Sequence, residues 1–466
     1  MNSKTRTVNK TNDRCTHTGS LLIYIHNLLD DNSFVEIGAL VKARSTDFNV
    51  NETDAPSDGV VTGYGLINGE LVFVYSQDPD ILGGSVGEMH AKKIMNIYEK
   101  ATSMGAPIIG LIDSSGFRVQ ESVDTLEAFG QIYFMQSNAY GIIPQITILF
   151  GECGGALSVL SKLSDFTFME KSSAKLFVNS PNTIADNKTV DSSSADYQSE
   201  VGNVDFVVDE SEIYTSVRNL VSTIPSNSSV PAVDVEVTDD LNRGVDIEER
   251  ITLPIDAMAA NDQIVEALEQ LSDDGFVIEV KKDFSEDIVT AFIKLNGATI
   301  GAIANKQDKF TTDGLKKASD FVITCDSLGI PILTITNSKG FVSTFETEKD
   351  GVSEIANLVF AFSNATVPKV NLLVGDAVGS GYMIMNPKAL GADIVYAWPN
   401  AKVSVMDSKK ASEVMYGDAS KAAEYEKLQG DIVNVASRGY IDSVIEPVDT
   451  RKYLIGAFEM LYTKEA

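Results

Sequence analysis

Two glycine-rich phrases hold this chain's best supply of chemistry. Gly151-Glu-Cys-Gly-Gly-Ala156 follows an apolar run at 146–150, and Gly375-Asp-Ala-Val-Gly-Ser-Gly381 follows another at 370–374. Each stands where a buried strand would run into a helix. Amide N–H groups at such a junction lack intrahelical acceptors and point into a crevice. Glycine lets a ligand oxygen come close to them, and two adjacent amides can stabilise an oxyanion. A turn selected only for tight packing has the same composition. What favours the chemical reading is that both phrases fall in one register of an internal repeat.

Side-chain catalysis is poorly supplied. There are three histidines, His17, His26 and His90. His90, in the first turn of an expected helix, reads as a capping or packing residue. The chain contains no Walker or HExxH phrase, which removes the common nucleotidase and zinc-protease motifs. Cys153 has no histidine or basic neighbour in sequence and reads as a small buried residue. Lys92 and Lys93 match Lys316 and Lys317 in the repeat, and Arg118 follows a Ser-Ser-Gly-Phe turn. These cations could receive phosphates or lie on solvated faces. Trp398 is expected in the core.

The repeat supplies the elements that must position these residues. Ser103-Met-Gly-Ala-Pro-Ile-Ile-Gly-Leu-Ile-Asp-Ser-Ser-Gly-Phe117 returns as Ser327-Leu-Gly-Ile-Pro-Ile-Leu-Thr-Ile-Thr-Asn-Ser-Lys-Gly-Phe341, at an offset of 224. The same offset pairs Pro144 with Pro368, Leu149 with Leu373, Gly151 with Gly375 and Gly155 with Gly379. A unit this long is a domain and not a solenoid repeat. In each copy, β-branched residues run into an Asn-Gly turn (Asn68-Gly69, Asn296-Gly297), which predicts a hairpin. Helices are expected at 89–103 and 315–328, ending at Gly105 and Gly329. Buried strands are expected at 108–112, 146–150, 332–335 and 370–374. This alternation predicts an α/β fold with a partly parallel sheet in each copy. Residues around 49–56 read as a loop insertion in the first copy.

The expected organisation is a polar tail at 1–20, a first domain at 21–224, a linker at 225–254 rich in Ser, Pro and Asp, and a second domain at 255–466. The 466 residues suit two domains, and 44% apolar with 22% charged residues is ordinary for a folded protein. A net charge of −29 argues against a nucleic-acid partner. Three scattered cysteines predict neither disulfides nor a zinc cluster. No run approaches the ~20 apolar residues of a membrane span, and a cytoplasmic location is expected.

Several phrases resemble the carboxyltransferase subunits of biotin-dependent acyl-CoA carboxylases and acyl-CoA decarboxylases. They are Leu28 to Ile37, Gly87-Glu-Met-His-Ala-Lys-Lys-Ile94, Pro107 to Glu121, Cys325 to Pro331, Ala365 to Val370 and Tyr396-Ala-Trp-Pro399. The resemblance runs from about 21 to 455. It implies two tandem crotonase-like (ClpP/crotonase) domains and a homo-oligomer, usually a hexamer, with sites formed between subunits. It implies that Gly154, Gly155 and Ala156 hold the acyl-CoA thioester oxygen, and that Gly379, Ser380 and Gly381 hold the ureido oxygen of biotin. CoA contacts are expected from Lys92, Lys93 and Arg118, and biotin contacts from Gly340, Phe341 and Tyr382, with no metal.

No biotinylation phrase is present, so biotin is expected on a separate carrier protein, alongside other carboxylase or decarboxylase subunits. The chain departs from the family pattern at Gly154, at Thr336-Asn-Ser-Lys-Gly-Phe-Val-Ser343 and at Asp376-Ala-Val-Gly-Ser-Gly-Tyr382. The expected activity is carboxyl transfer between carboxybiotin and an acyl-CoA of the propionyl or methylmalonyl kind. A structural or regulatory subunit and a single-pocket crotonase-type enzyme are the alternatives.

Overall fold

Asn68 and Gly69 both take positive φ (51° and 86°), as do Asn296 and Gly297 (51° and 77°). Two successive residues with φ > 0 make the turn whose twist suits a tight hairpin, and Asn-Gly is the pair that tolerates it. In this computed structural model, which describes residues 19–46, 48, 55–185, 189–233, 237–248 and 260–464, these turns anchor two sheets of the same design.

The first sheet contains β1 (Val35–Glu36), β2 (Val60–Ile67), β3 (Glu70–Gln77), β4 (Ile108–Ser114), β5 (Gln145–Gly154), β6 (Phe166–Glu170), β7 (Lys175–Phe177) and β8 (Phe206–Val208). Its order is β1-β2-β3-β4-β5-β6-β8, with β7 added beside the far end of β5. The second contains β9 (Val277–Val280), β10 (Ile288–Leu295), β11 (Ala298–Asn305), β12 (Ile332–Ser338), β13 (Lys369–Val378), β14 (Ile394–Ala397), β15 (Lys402–Ser404) and β16 (Ser443–Val444). Its order mirrors the first, β16-β14-β13-β12-β11-β10-β9, with β15 beside β13. In each, an antiparallel trio passes into parallel strands. The parallel strands need crossovers, and helices provide them.

The expected helices are Glu88–Met104 and Thr312–Ser327. The first ends on Gly105 in the left-handed region. The second begins at Thr311, whose hydroxyl accepts the Gly314 N–H at 3.0 Å. The expected strands run past their predicted ends, β5 and β13 each to ten residues. Their last residues leave the core and form the glycine turns.

One hydrophobic core joins the halves. It includes Ile148, Phe166 and Val217 from the first with Ile288, Phe292 and Val322 from the second. Phe166 meets Phe292 edge to face at 5.9 Å. Trp398 is fully buried and donates its indole N–H to the Thr450 hydroxyl at 2.9 Å. Of the segment 225–254, Val245 and Ile247 are buried against Ile264 and Leu268, and Ser228 donates to the Ile142 carbonyl at 3.1 Å. Most of the expected insertion at 49–56 and of the tail at 1–20 lies outside the described residues. Among the described residues no helix is long and apolar enough to cross a membrane.

Candidate active site

Both glycine turns are built on an irregularity in the sheet. The β4–β5 register jumps between Ile112 and Ser114, where Ser114 comes to face Cys153. The β12–β13 register jumps between Thr336 and Ser338, where Ser338 comes to face Ala377. Such a bulge re-aims the residues beyond it. Here it brings the ends of β4 and β12 against the turns. Ser114 Oγ accepts the Gly116 N–H at 3.1 Å, and Ser338 Oγ accepts the Gly340 N–H at the same distance. Gly154 O lies 3.9 Å from where a Gly116 Cβ would stand, and a Gly381 Cβ would fall 3.0 Å from the Gly340 amide.

Accounting for the amides corrects the expected donor sets. Gly155 takes φ +60° and gives its N–H to the Phe177 carbonyl at 2.9 Å. Along a strand, successive N–H groups point to opposite sides. With Gly155 turned to β7, Gly154 turns toward β4. Neither glycine amide therefore opens into the crevice. Ala156 (φ −58°, ψ −31°) opens the helix Leu157–Leu163, and its N–H has no acceptor among the described residues. The second copy repeats the pairing: Val378 faces Ser404 as Gly154 faces Phe177. Gly379 (φ +56°) takes the place of Gly155. The helix Gly379–Ile384 follows, with the Ser380 amide in its first turn. The Ala156 and Ser380 amides thus stand at matching helix starts in the two halves. The glycines shape the turn, and Gly381 allows the close approach of the Gly340 loop.

The three basic residues expected to meet CoA part company. Lys92 keeps its ammonium at the surface, bonded to Glu88 at 2.6 Å. Lys93 is only 4% exposed; its ammonium donates to Ser57 O at 3.1 Å and also to Ser57 Oγ and Val60 O. Arg118 is fully buried between the carboxylates of Asp58 and Glu121 and donates to Ser85 O at 2.5 Å. Asp58 accepts the His90 N–H and Glu121 the Glu88 N–H, each at 2.6 Å. Two carboxylates thus cap the N-terminus of Glu88–Met104, and Arg118 neutralises them. Within one chain, the charges of Lys93 and Arg118 are spent inside. Gly87 is glycine because a Cβ would stand 2.2 Å from Glu121 Oε1.

His90 is also interior. Its Nδ1 faces the Asp58 carbonyl at 2.9 Å, which requires an N–H there, and its Nε2 lies 3.2 Å from the Gln77 amide nitrogen. Burial, helped by Arg118, holds its pKa well below the usual value, so the ring is neutral. Cys153 is buried and its thiol pKa is pushed up by that burial, which leaves it unreactive. On the second side, Phe341 is half-buried beside Phe310, with ring centres 6.3 Å apart. Tyr382 packs partly against the cluster around Leu373, and burial raises its phenol.

Sequence reasoning missed the residues under the turns: Asp113, Ser114, Asn337 and Ser338, together with Asp58 and Glu121. The signal was present for four of them. They lie in the two matching fifteen-residue phrases, at an offset of 224.

The fold defines a tandem crotonase-like protein with a matching glycine turn in each half. The carboxyl transferase domain model matches residues 17–466, and the chain belongs to that family. It is 35% identical over 464 residues to the methylmalonyl-CoA decarboxylase subunit alpha of Propionigenium modestum, covering 94% of this chain and 89% of that one. It is 37% identical over 462 residues to the propionyl-CoA carboxylase beta chain of Roseobacter denitrificans, with the same coverage. Transcarboxylase 12S, a hexamer solved with hydrolysed methylmalonyl-coenzyme A bound, superposes with a TM-score of 0.90 at 33% identity, over 96% of this chain and 90% of that one.

Proposed function

We propose that the protein transfers a carboxyl group between carrier-borne biotin and an acyl-CoA of the propionyl or methylmalonyl class. The observation that carries this is the repeated turn: each half ends a bulged strand pair in one amide at a helix start, Ala156 and Ser380. Carboxyl transfer develops negative charge on one oxygen of each substrate, so it calls for two such donors. Ala156 receives the thioester oxygen. In a site shielded from water, a fixed amide at a helix start stabilises the charge that grows there as the α-carbon becomes nucleophilic.

The second turn suits a neutral fused-ring urea. Ser380 offers the donor, and Gly340, Phe341 and Tyr382 give a close glycine approach beside two half-buried rings. Biotin, when bound, supplies the transferable carboxyl group. The chain's part is to hold the two substrate oxygens and keep water out. No side-chain base is asked of the neutral, buried His90.

A second copy completes the site. The cavity of about 410 Å³ between the halves of one chain is lined by Lys162, Asp165, Asp205, Lys281 and Asp320, among others, and by neither turn. Apolar side chains flank both turns in the open: Phe117 and Val119 (79% exposed) by the first, Met383 and Val405 (71%) by the second. Covering them with the opposite half of a partner copy would bring an Ala156 amide to face a Ser380 amide and exclude water.

The test is to incubate purified protein with methylmalonyl-CoA and a biotinylated carrier domain and follow the labelled carboxyl group. Transfer that needs both substrates is expected. Tight acyl-CoA binding with no transfer to biotin would overturn the proposal in favour of a structural subunit.

A further inference from the structure

Asp113 and Asn337 stand opposite the bulges, each the single residue facing three on the neighbouring strand (150–152 and 374–376) where the register jumps. Each folds its side chain over the first glycine of its turn. A Cβ on Gly151 would stand 2.1 Å from Asp113 Oδ1, and a Cβ on Gly375 would stand 2.5 Å from Asn337 Oδ1. The next amide of each turn lies beside the same side chain. Asp376 donates its N–H to Asn337 Oδ1 at 2.9 Å, and the Asp113 carboxylate lies in the matching place against Gly151, where the Glu152 backbone favours its charged form against burial. Asn337 is itself held at both ends of its peptide: its N–H donates to Asn305 Oδ1 at 2.9 Å, and its carbonyl accepts from Asn305 Nδ2.

We infer that Asp113 is a positioning residue for the first pocket: its side-chain oxygen fixes the 151–156 turn so that the Ala156 amide faces outward, as Asn337 fixes the second turn for Ser380. The inference rests on reading that turn as the acyl-CoA pocket. The turn has two ways to satisfy the Glu152 amide, a side chain or water, and only the side chain fixes its direction. With the Glu152 amide held, Cys153 pairs with Leu176 and Gly155 with Phe177, and Ala156 is the next amide along. One half uses a carboxylate and the other an amide, so the shared requirement is an acceptor oxygen at this reach, and the charge is incidental.

The test compares Asp113→Ala, Asp113→Ser and Asp113→Asn in the full-length protein. Steady-state transfer is measured from methylmalonyl-CoA to a biotinylated carrier domain, with hydrogen exchange of the 151–156 peptide by mass spectrometry. Asp113→Ala should lower kcat about a hundredfold, the scale expected when a reacting group is misplaced by an ångström, while KM for the acyl-CoA changes far less. The same variant should exchange its Glu152 amide faster. Asp113→Ser, too short to reach that amide, should behave alike, and it stands in if the alanine variant does not fold. Asp113→Asn should restore both kcat and protection.

Wild-type kcat and protection in Asp113→Ala would overturn the inference. So would an asparagine variant as impaired as the alanine one. If the wild type itself transfers nothing, the functional reading fails, and the exchange comparison alone then decides whether Asp113 holds the turn.

Discussion

Lys93 and Lys317, separated by 224 positions in the chain, turn their ammonium groups onto the same stretch of backbone in the two halves. Lys93 donates to the carbonyls of Ser57 and Val60 at the entry to β2. Lys317 donates to Phe284 O at 2.8 Å and reaches Ser285 O at 3.4 Å at the entry to β10. Both are nearly enclosed, at 4% and 1% exposure. A pair that looked suited to phosphates is a pair of rivets between helix and hairpin.

Burial lowers the Lys317 pKa from 10.5 to about 8. The folded chain therefore gives up this proton near pH 8, and the unfolded chain does so near pH 10.5. Between those values the unfolded state binds more protons, so stability from this position rises with pH. Thermal unfolding of wild type and Lys317→Met across pH 7 to 10 should show the difference, wild type minus variant, growing in favour of wild type above pH 8. A difference that is flat or falls with pH would contradict the buried amine.

The amide accounting separates two kinds of proline variant. Ala156→Pro removes the proposed donor, and its φ of −58° already suits proline at a helix start. It should keep its melting temperature and lose about 10²–10³ in kcat, the usual cost of one oxyanion donor. Ser380→Pro should do the same from the second side. Gly155→Pro would break the Phe177 bond and forbid φ +60°, so its defect should show as a lower melting temperature as well.

Gly151→Ala places a methyl group against Asp113. The single variant should be destabilised and inactive. Adding Asp113→Ala should relieve the collision and recover stability while activity stays lost. The two changes share one contact, so a double-mutant cycle should show strong coupling. Additive effects would mean that the collision is absorbed elsewhere.

Arg118→Met leaves Asp58 and Glu121 buried without their cation. Breaking such a pair by removing one partner costs about 3–5 kcal/mol. Burial already holds the Asp58 pKa above its usual value, against the pull of Arg118. Without the guanidinium it rises further, so the folded variant takes up a proton that the unfolded chain does not. Stability of Arg118→Met relative to wild type should thus recover as pH falls from 7 toward 5 in urea titrations.

Much of this architecture could be read from residue types. The Asn-Gly turns, Gly105 and the apolar runs of β4, β5, β12 and β13 each carry a local physical cause, and each element stands where that cause placed it. The site was legible only in part. Residue types mark a strand-to-helix turn, yet which amides point outward depends on the pairing of β5 with β7, and β7 is three residues long. Likewise Lys93 and Arg118 look like surface cations in sequence, because most of the groups that enclose them come from residues 57–60 and from Ser85, far off in the chain. The role of Asp113 was hidden because a bulge has no composition of its own.

The single core that runs through Phe166 and Phe292 has a consequence for how such a chain can be cut or rearranged. Each half has its own sheet and its own turn, and would look self-sufficient on a map of the gene. Expressed alone, the first half would present Phe166 to water, and the second would present Phe292. The duplication left two similar modules, but it did not leave two independent proteins.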